Sequence, residues 1–433
     1  MTTTMDDAFQ TDLRQATAAR RDWAVDQVCQ LIAARTELGN EAPGQAIMAD
    51  LLAQCGLQVE TFDVDPAAIR DHPGFAPPPT GDYAGRPNVV GTHRPRAAEG
   101  RSLILNGHID VVPPSNDALW SRPAFQPWTA DGRIFGRGAA DMKSGLVANA
   151  LAIAALSDLG YAPAAPVHLQ SVIEEECTGN GTLACIARGC AADAVIIPEP
   201  FGQTIMWAQM GVMWVTVEVS GKPTHVLDAG AGLNAIEACF TLFEALRRLE
   251  AKWNEDAARH PAYAGEVHPV NFNLGRIEGG DWASTVPARA TMQVRAGFLP
   301  GIDPADAARQ IEARIVEAAA GAGLSGARVK VSYGGHRATG HVSDRKDPLF
   351  GLLAEAHRSV TGSPARMLAS TATTDARFFP LYADTPATRY GPVGGDLHGI
   401  DEWVSIDSML EVGTVLATFI AGWCGLERHA STS

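Results

Sequence analysis

The sequence lacks the features of a membrane-spanning or nucleic-acid-binding chain. No run reaches the roughly 20 apolar residues that a membrane helix needs. The first residues lack the basic start and apolar core of a signal peptide. There is no long basic run, and 34 lysines and arginines stand against 49 acidic residues, for a formal net charge of -15. Because nucleic-acid binding needs a cationic surface, we expect neither a nucleic acid nor a membrane as partner.

Cysteine pairs with metal-binding spacing are also absent. The seven cysteines include no Cys-x-x-Cys pair, which argues against a zinc ribbon. Scattered thiols without such a pair are typical of reduced cytoplasmic proteins, so we expect a cytoplasmic location.

The chain is long enough for two domains, and its pattern changes twice along its 433 residues. Up to residue 210, apolar runs of strand length alternate with helical periodicity, which predicts an α/β layer with a mainly parallel sheet. Residues 211–334 follow the order β-α-β-β-α-β, which is typical of a ferredoxin-like sandwich. The first pattern then resumes. We therefore predict one α/β domain, formed by residues 1–210 and 335–433, that is interrupted by an inserted α+β domain at 211–334.

One predicted strand, beginning at Val167, runs directly into the carboxylates Glu174, Glu175 and Glu176. Unpaired buried carboxylates cost several kcal/mol each. Either all three point into water at the strand end, or a cation lies there. Two glycines follow closely and allow the backbone to approach a ligand.

Two further buried strands end in residues that can bind metals, namely His108 and Glu199. In parallel α/β sheets, ligands bind at the carboxyl ends of the strands. Three strand ends that carry possible metal ligands favour a bound cation over carboxylates that simply point into water.

Two loop residues could complete the site. Asp141 lies in a glycine-rich turn before a helix, where it could also be a simple helix cap. His398 is flanked by glycines, although a loop histidine is often only a surface residue. Two histidines and three carboxylates suit zinc. If Asp141 bridges two ions, His108 and Glu199 bind one of them, and Glu175 and His398 bind the other.

Two acidic neighbours of these residues receive supporting roles. Asp110 lies two residues after His108 and could orient its ring through the second nitrogen. Glu174 is adjacent to a ligand without being one, which makes it the expected general base that takes a proton from an attacking water.

The motifs resemble those of the dinuclear-zinc metallopeptidase and deacylase family of acetylornithine deacetylase, succinyl-diaminopimelate desuccinylase, aminoacylase and carboxypeptidase G. The matching segments occur in the family's order over nearly the whole chain: His108-Ile109-Asp110, Gly138 to Lys143, Glu174 to Glu176, Glu199 and His398. The resemblance implies two Zn²⁺ per subunit, with Co²⁺ or Mn²⁺ as alternatives. It also implies a catalytic domain with an inserted lid domain that usually forms a homodimer, and a peptide bond after Asp141 that is often cis.

The resemblance also implies contacts with the substrate. In Gly221 to His225, the histidine corresponds to one that stabilises the oxyanion in relatives, usually in the partner subunit's site. The remaining expected substrate contacts are Asn234, Ser284, Thr373, Arg377 and Gly391. Ser284 stands where relatives often have asparagine, and Arg295 is displaced from the usual Asp-x-Arg. Arg377 either binds a substrate carboxylate or has a structural role.

The expected activity is zinc-dependent hydrolysis of an amide, with removal of an acyl group from an N-acyl amino acid or a related compound. Within the same family, the alternative is a dipeptidase or a glutamate-releasing carboxypeptidase acting on a short peptide. The alternative from another class is a non-catalytic metal-binding protein on this fold.

Overall fold

The computed structural model describes residues 7–321, 324 and 326–429. Our predictions for the first six residues and for the end of the polar tail, from residue 430, lie outside these ranges. The helices are α1 (Asp7–Ala19), α2 (Arg21–Ala33), α3 (Ala42–Gln54), α4 (Pro66–Ile69), α5 (Ser144–Asp158), α6 (Asn180–Ala187), α7 (Ala235–Ala257), α8 (Pro304–Gly321), α9 (Pro348–Thr361), α10 (Phe378–Tyr382) and α11 (Ile406–Cys424).

The strands in the first part of the chain are β1 (Gln58–Asp63), β2 (Pro87–His93), β3 (Leu103–His108), β4 (Trp128–Ala130), β5 (Arg133–Phe135), β6 (Tyr161–Pro163), β7 (Val167–Val172), β8 (Val195–Ile197) and β9 (Ile205–Gln209). Those that follow are β10 (Gly211–Ser220), β11 (Phe272–Gly279), β12 (Arg289–Phe298), β13 (Arg328–Ala338), β14 (His341–Val342), β15 (Met367–Ser370), β16 (Ala387–Arg389), β17 (Gly394–Gly395), β18 (Trp403–Ser405) and β19 (Leu426–Arg428).

The largest sheet has the order β1-β2-β7-β3-β8-β16-β9-β14, with β15 paired to β9. Its centre is parallel, since β3 pairs in parallel with β7 and β8, and β16 pairs in parallel with β8. Antiparallel strands flank this centre. Every residue of β3 is buried, as expected for a strand covered on both faces. The prediction of an α/β fold with a mainly parallel sheet is confirmed.

The inserted segment forms a separate antiparallel sheet of order β11-β12-β10-β13. Strand β10 alternates buried and partly exposed residues, because one face of this sheet packs against α7 and α8 and the other does not. The observed order β10-α7-β11-β12-α8-β13 is the predicted β-α-β-β-α-β. Strand β13 continues to Ala338, beyond the predicted boundary at residue 334.

Two helical stretches, Ala139–Asp158 and Ile406–Cys424, are long and apolar enough to cross a membrane by composition alone. Both stretches contain polar residues, so neither is a continuous apolar run. In the folded chain, 94% and 78% of their most apolar windows are buried, as expected for core helices. They contact each other, and α5 packs against β3 and β7 of the parallel strands.

A small sheet of order β17-β18-β5-β4 was not predicted. Its strands have two or three residues each, too few for a period of two to be recognisable. This sheet holds the loop of His398 beside the turn that contains Asp141.

Candidate metal centre

Side chains from five segments of the chain meet at the carboxyl edge of the parallel strands. Their candidate ligand atoms form two groups, and within each group the atoms lie within 4.8 Å of one another. The first group consists of His108, Asp141 and Glu199, and the second of Asp141, Glu176 and His398. Asp141 belongs to both groups, as a residue that bridged two ions would. The glutamate of the second group is Glu176, whereas Glu175 was the residue predicted there.

His108 ends β3, and only 1% of it is exposed. Its Nδ1 lies 2.9 Å from the backbone oxygen of Asp110. A proton on Nδ1 satisfies that oxygen and leaves Nε2 free to bind a cation. Nε2 points into the cluster, 3.2 Å from Oδ1 of Asp141 and 3.9 Å from Oε1 of Glu199.

Asp110 lies beside His108, and its backbone oxygen and its carboxylate have different roles. The backbone oxygen orients the ring of His108, whereas the carboxylate lies 3.6 Å from Nδ1. That carboxylate instead accepts hydrogen bonds from the backbone amides of Glu175, at 3.2 Å, and Glu176, at 3.1 Å. Asp110 thus joins the end of β3 to the acidic turn after β7.

Asp141 lies in the turn before α5, and its peptide bond to Met142 is cis, as the resemblance implied. Its two oxygens lie 3.2 Å from Nε2 of His108 and 3.4 Å from Nε2 of His398. Burial alone would raise the pKa of Asp141, but hydrogen bonds from the two imidazoles hold that pKa well below its usual range.

The turn of Asp141 is held by Glu402, which the sequence interpretation missed. The fully buried carboxylate of Glu402 accepts hydrogen bonds from the backbone amides of Gly138, Ala140 and Asp141, each at 3.0 Å. It also pairs with the guanidinium of Arg137 at 2.7 Å. The available signal was an acidic residue four positions after the candidate ligand His398.

Glu174 does not face the cluster, which contradicts the position that we predicted for the general base. It is fully buried, and its Oε1 pairs with Arg86 at 2.8 Å. Its Oε2 accepts hydrogen bonds from the hydroxyls of Tyr83, at 2.8 Å, and Thr178, at 2.7 Å. Arg86 in turn forms a two-point ion pair with the buried Glu41. Because both carboxylate oxygens of Glu174 already have partners within the protein, its contacts indicate a structural role.

The backbone explains this separation. Glu174 has a φ of +65°, in the left-handed region that a glutamate rarely adopts. Its backbone oxygen accepts hydrogen bonds from the amides of Thr178, at 2.9 Å, and Gly179, at 2.7 Å, which close a tight turn after β7. The turn directs Glu174 away from the ligand cluster and places the carboxylates of Glu175 and Glu176 beside that cluster.

Glu175 and Glu176 differ in their contacts. Oε1 of Glu176 lies 3.1 Å from Nε2 of His398. Glu175 is 6% exposed, and within the described part of the chain its Oε1 is buried without a hydrogen-bond partner. Burial raises the pKa of Glu175 well above its ordinary value, and the nearby carboxylates raise it further. A buried carboxylate oxygen without a partner requires a ligand, a water or a proton.

The electrostatics of the cluster fit divalent cations. Burial raises the pKa of Glu199 to about 8. The carboxylate of Glu176 raises the pKa of His398 to about 11. Glu199 therefore binds a proton more tightly than an isolated carboxylate, and His398 binds one more tightly than an isolated imidazole. A dication can replace those protons. Imidazole nitrogen and carboxylate oxygen are donors that zinc, cobalt and manganese accept.

The predicted oxyanion residue lies on the inserted domain. His225 is exposed, and its Nδ1 accepts a hydrogen bond of 3.2 Å from the amide of Leu227. Its loop pairs with the exposed loop of Ser284, whose backbone oxygen accepts from the amide of Val226 at 3.1 Å. Among the described residues, no hydrogen bond or ion pair joins His225 or Ser284 to the metal-centre side chains.

The other predicted substrate contacts have structural partners. The side-chain oxygen of Asn234 caps α7 by accepting from two backbone amides, at 3.0 and 3.3 Å. Thr373 donates to the backbone oxygen of Met210 at 2.5 Å. A Cβ at Gly391 would lie 2.3 Å from the backbone oxygen of Glu199, so glycine permits a close approach behind that residue.

The guanidinium of Arg377 is also engaged. It is 3% exposed and donates to the backbone oxygens of Thr374, at 3.0 Å, and Thr178, at 3.1 Å. Of the two roles that the sequence left open for Arg377, these contacts favour the structural one. Arg377 ties the loop at residues 373–377 to the acidic turn.

Comparisons with known proteins give one consistent result. Residues 104–422 match the model of peptidase family M20/M25/M40. The chain is 29% identical over 412 residues to N-formyl-4-amino-5-aminomethyl-2-methylpyrimidine deformylase of Bacillus subtilis (strain 168), with 89% of this chain and 90% of that protein covered.

Solved structures share the fold at lower identity. The dipeptidase Dug1p of Saccharomyces cerevisiae has a TM-score of 0.79 at 14% identity and covers 96% of this chain and 98% of its own. Human carnosine dipeptidase 1 has a TM-score of 0.76 at 16% identity and covers 96% and 99%.

Proposed function

The chain belongs to peptidase family M20/M25/M40, and from that membership we propose that it is a metal-dependent hydrolase that removes a short acyl group from an N-acylated amine. The observation that carries the proposal is the pair of ligand groups sharing Asp141, with Glu175 buried beside them. A scaffold protein without catalysis would have no use for a second, partnerless carboxylate at that position.

We propose that His108 and Glu199 hold one cation, that Glu176 and His398 hold a second, and that Asp141 bridges them. Two Zn²⁺ per subunit fit this donor set, and Co²⁺ or Mn²⁺ could replace them. When bound, such cations polarise the substrate carbonyl and lower the pKa of a water molecule.

The protein's own residues then move the proton. Glu175 takes a proton from the attacking water as its oxygen bonds to the carbonyl carbon, and passes this proton to the nitrogen as the C–N bond breaks. The products are a carboxylic acid and a free amine. Asp110 positions Glu175 and Glu176 through their backbone amides.

A homodimer would complete the site. His225 is exposed on the inserted domain, which also exposes Trp282 (73%), Leu227 (86%) and Phe240 (51%). A contact with a partner subunit would cover these exposed apolar side chains. We propose that His225 reaches the partner subunit's metal centre, where it donates a hydrogen bond to the oxyanion.

Two substrate classes fit the proposed reaction. N-acyl amino acids remain the class favoured by the sequence motifs. N-formyl aminopyrimidines are favoured by the name of the Bacillus subtilis relative. The structure adds that Arg377, one candidate for binding a substrate carboxylate, already donates to two backbone oxygens.

The test is release of free amine by zinc-loaded protein from matched panels of N-formyl and N-acetyl amino acids, N-formyl aminopyrimidines and dipeptides. Release from either acyl panel supports the proposed deacylase and selects the class. Release from dipeptides alone would replace it with a peptidase. No release from any panel, with metal bound, would contradict the proposal.

A further inference from the structure

Cys185 and Cys190 lie on either side of the turn that ends α6. Gly189 has a φ of +85°, in the left-handed region, and its amide donates to the backbone oxygen of Ile186 at 2.9 Å. The amide of Cys190 donates to the backbone oxygen of Cys185 at 3.1 Å. These two bonds around a left-handed glycine define the Schellman motif, in which the side chains at the positions of Cys185 and Cys190 commonly contact each other. The motif therefore places two thiols where other helices place an apolar contact.

The packing around the two cysteines agrees with this contact. Cys185 forms a small apolar cluster with Val90 and Val172, and Cys190 and Phe62 pack against that cluster. Cys185 is fully buried, whereas Cys190 is partly exposed. The two thiols share a hydrogen bond in which Cys185 is the donor.

The distance between the two residues suits a disulfide. Cysteines whose α-carbons lie more than about 7 Å apart cannot be bridged without backbone movement. The 3.1 Å backbone hydrogen bond keeps the α-carbons of Cys185 and Cys190 within roughly that distance, because only an N–Cα bond and a carbonyl group extend it at its two ends. Since the thiols also interact with each other, a bridge needs no rearrangement of other segments.

Cys190 differs from the other cysteines in its thiol. The hydrogen bond from Cys185 lowers the pKa of Cys190, and this effect outweighs burial and the carboxylate of Glu60, which raise it. The pKa of every other cysteine is raised, for example by burial to about 11 in Cys55 and Cys239. Because the thiolate is the form that reacts, Cys190 is the cysteine most open to an oxidant.

We propose that Cys185 and Cys190 form a reversible oxidation site, which a hydroperoxide converts into an intrachain disulfide. The Cys190 thiolate attacks one peroxide oxygen and the O–O bond breaks. Cys190 becomes a sulfenic acid, and the other oxygen takes up the proton that Cys190 had lost and leaves as water or an alcohol. The Cys185 sulfur then attacks the Cys190 sulfur, the S–O bond breaks, and that oxygen leaves as water with the proton of Cys185. Both thiols are oxidised, and the peroxide is reduced.

The buried partner gives the site its reversibility. A sulfenic acid that meets no thiol can be oxidised further to a sulfinic acid, which thiol reductants do not restore. Cys185 lies within the same turn and intercepts the sulfenic acid as a disulfide. Neither cysteine belongs to the two ligand groups, so the oxidation site is separate from the metal centre.

The experiment exposes the zinc-loaded protein to hydrogen peroxide, blocks the remaining thiols with N-ethylmaleimide, and identifies tryptic peptides by mass spectrometry. Trypsin cleaves after Arg188, between the two cysteines, so a bridge leaves two linked peptides that dithiothreitol separates. We expect this linkage in the wild type. Cys190 should be oxidised at least about tenfold faster than Cys29, a partly exposed thiol whose pKa is raised by burial.

Three variants define the pair. Cys29→Ser is the matched control and should form the linkage as the wild type does. Cys185→Ser should form no linkage, and its Cys190 should proceed to the sulfinic acid. Cys190→Ser keeps the buried thiol and serves if Cys185→Ser does not fold. In that variant Cys185 should stay reduced.

Three results would overturn the proposal. Linkage that persists in Cys185→Ser would assign the bridge to Cys177, which lies on the same tryptic peptide as Cys185. A wild type in which Cys190 reaches the sulfinic acid without linkage would show that the two thiols do not meet. Equal oxidation rates for Cys190 and Cys29 would show that Cys185 does not activate its neighbour.

Discussion

Glu174, Glu175 and Glu176 are adjacent in the chain, yet their carboxylates lie in three environments. The first pairs with Arg86, the second is buried without a partner among the described residues, and the third lies beside His398. The left-handed backbone of Glu174 causes this separation, because it breaks the extended alternation that continues from β7 just before Glu175 and Glu176. At the residue scale, backbone geometry therefore decides which glutamate can act on a substrate.

This turn also shows the limit of the sequence at the residue scale. His108, Asp141, Glu199 and His398 were identifiable because each follows a buried strand or lies between glycines. Three consecutive glutamates contain two overlapping pairs, and strand periodicity could not choose between them. The choice depends on Arg86, Tyr83 and Thr178, whose contacts with Glu174 no local pattern shows.

Replacing Glu174 with alanine should destabilise the protein strongly. The change leaves Arg86, Tyr83 and Thr178 without their buried acceptor, and removing one member of a buried ion pair costs about 3–5 kcal/mol. Denaturant or thermal unfolding measures the effect. Glu60→Ala, which removes an exposed partner of Arg188, is the control and should change stability by about 1 kcal/mol or less. Equal stability of the two variants would contradict the structural role of Glu174.

Metal affinity should weaken as the pH falls, and more steeply below about 8, because His398, with a pKa of about 11, already carries a proton above that pH. Without a metal, Glu199 has its pKa raised to about 8 by burial, so below that pH it carries a proton that a cation must displace. Each displaced proton lowers the apparent affinity by about tenfold per pH unit. Titration of metal-free protein with zinc between pH 6 and 8, in buffers of different ionisation enthalpy, measures both affinity and proton release. Affinity that is independent of pH would show that the cluster is already ionised.

At the scale of elements, the small β17-β18-β5-β4 sheet connects the two halves of the metal centre. It carries the loop of His398, and Glu402 beside it holds the turn of Asp141 through three backbone amides. The helices and long strands were predictable from periodicity and burial. This sheet was not, because its pairing joins residues near position 130 to residues near position 400.

Replacing Glu402 with alanine should lower zinc affinity by about 10–100-fold, the usual effect of losing a group that positions a ligand. The turn of residues 138–141 would lose its acceptor, and Asp141 would no longer be held between the two histidines. Asp407→Ala, which removes an exposed carboxylate at the start of α11, serves as the control. If both variants bind zinc as tightly as the wild type, Glu402 does not position Asp141.

At the scale of the whole molecule, the α/β layer and the inserted β-α-β-β-α-β unit follow from the order of patterns along the chain. The relation between subunits does not, because one chain shows no interface. His225 lies on the exposed surface of the inserted domain. Its ring accepts a hydrogen bond from Leu227 in its own loop and, among the described residues, none joins it to the metal-centre side chains.

Mixing two inactive variants should therefore restore activity if the dimer shares its sites. In a hybrid of His225→Ala and Glu175→Gln subunits, one of the two sites has both residues intact. Random exchange makes half of the dimers hybrids, so about a quarter of wild-type activity should return. Size-exclusion chromatography with light scattering checks that dimers form. Dimers that exchange subunits without regaining activity would place His225 in its own subunit's site.

The central claim is that Glu175, and not Glu174, is the general base beside the metal pair. The most direct measurement compares kcat and bound metal for Glu175→Gln and Glu174→Gln, using an N-acyl substrate that the wild type hydrolyses. Glu175→Gln should bind a full complement of metal and lose about 10²–10⁴-fold in kcat. Glu174→Gln, counted per folded and metal-loaded chain, should keep most of its kcat. The reverse order of these two losses would contradict the account.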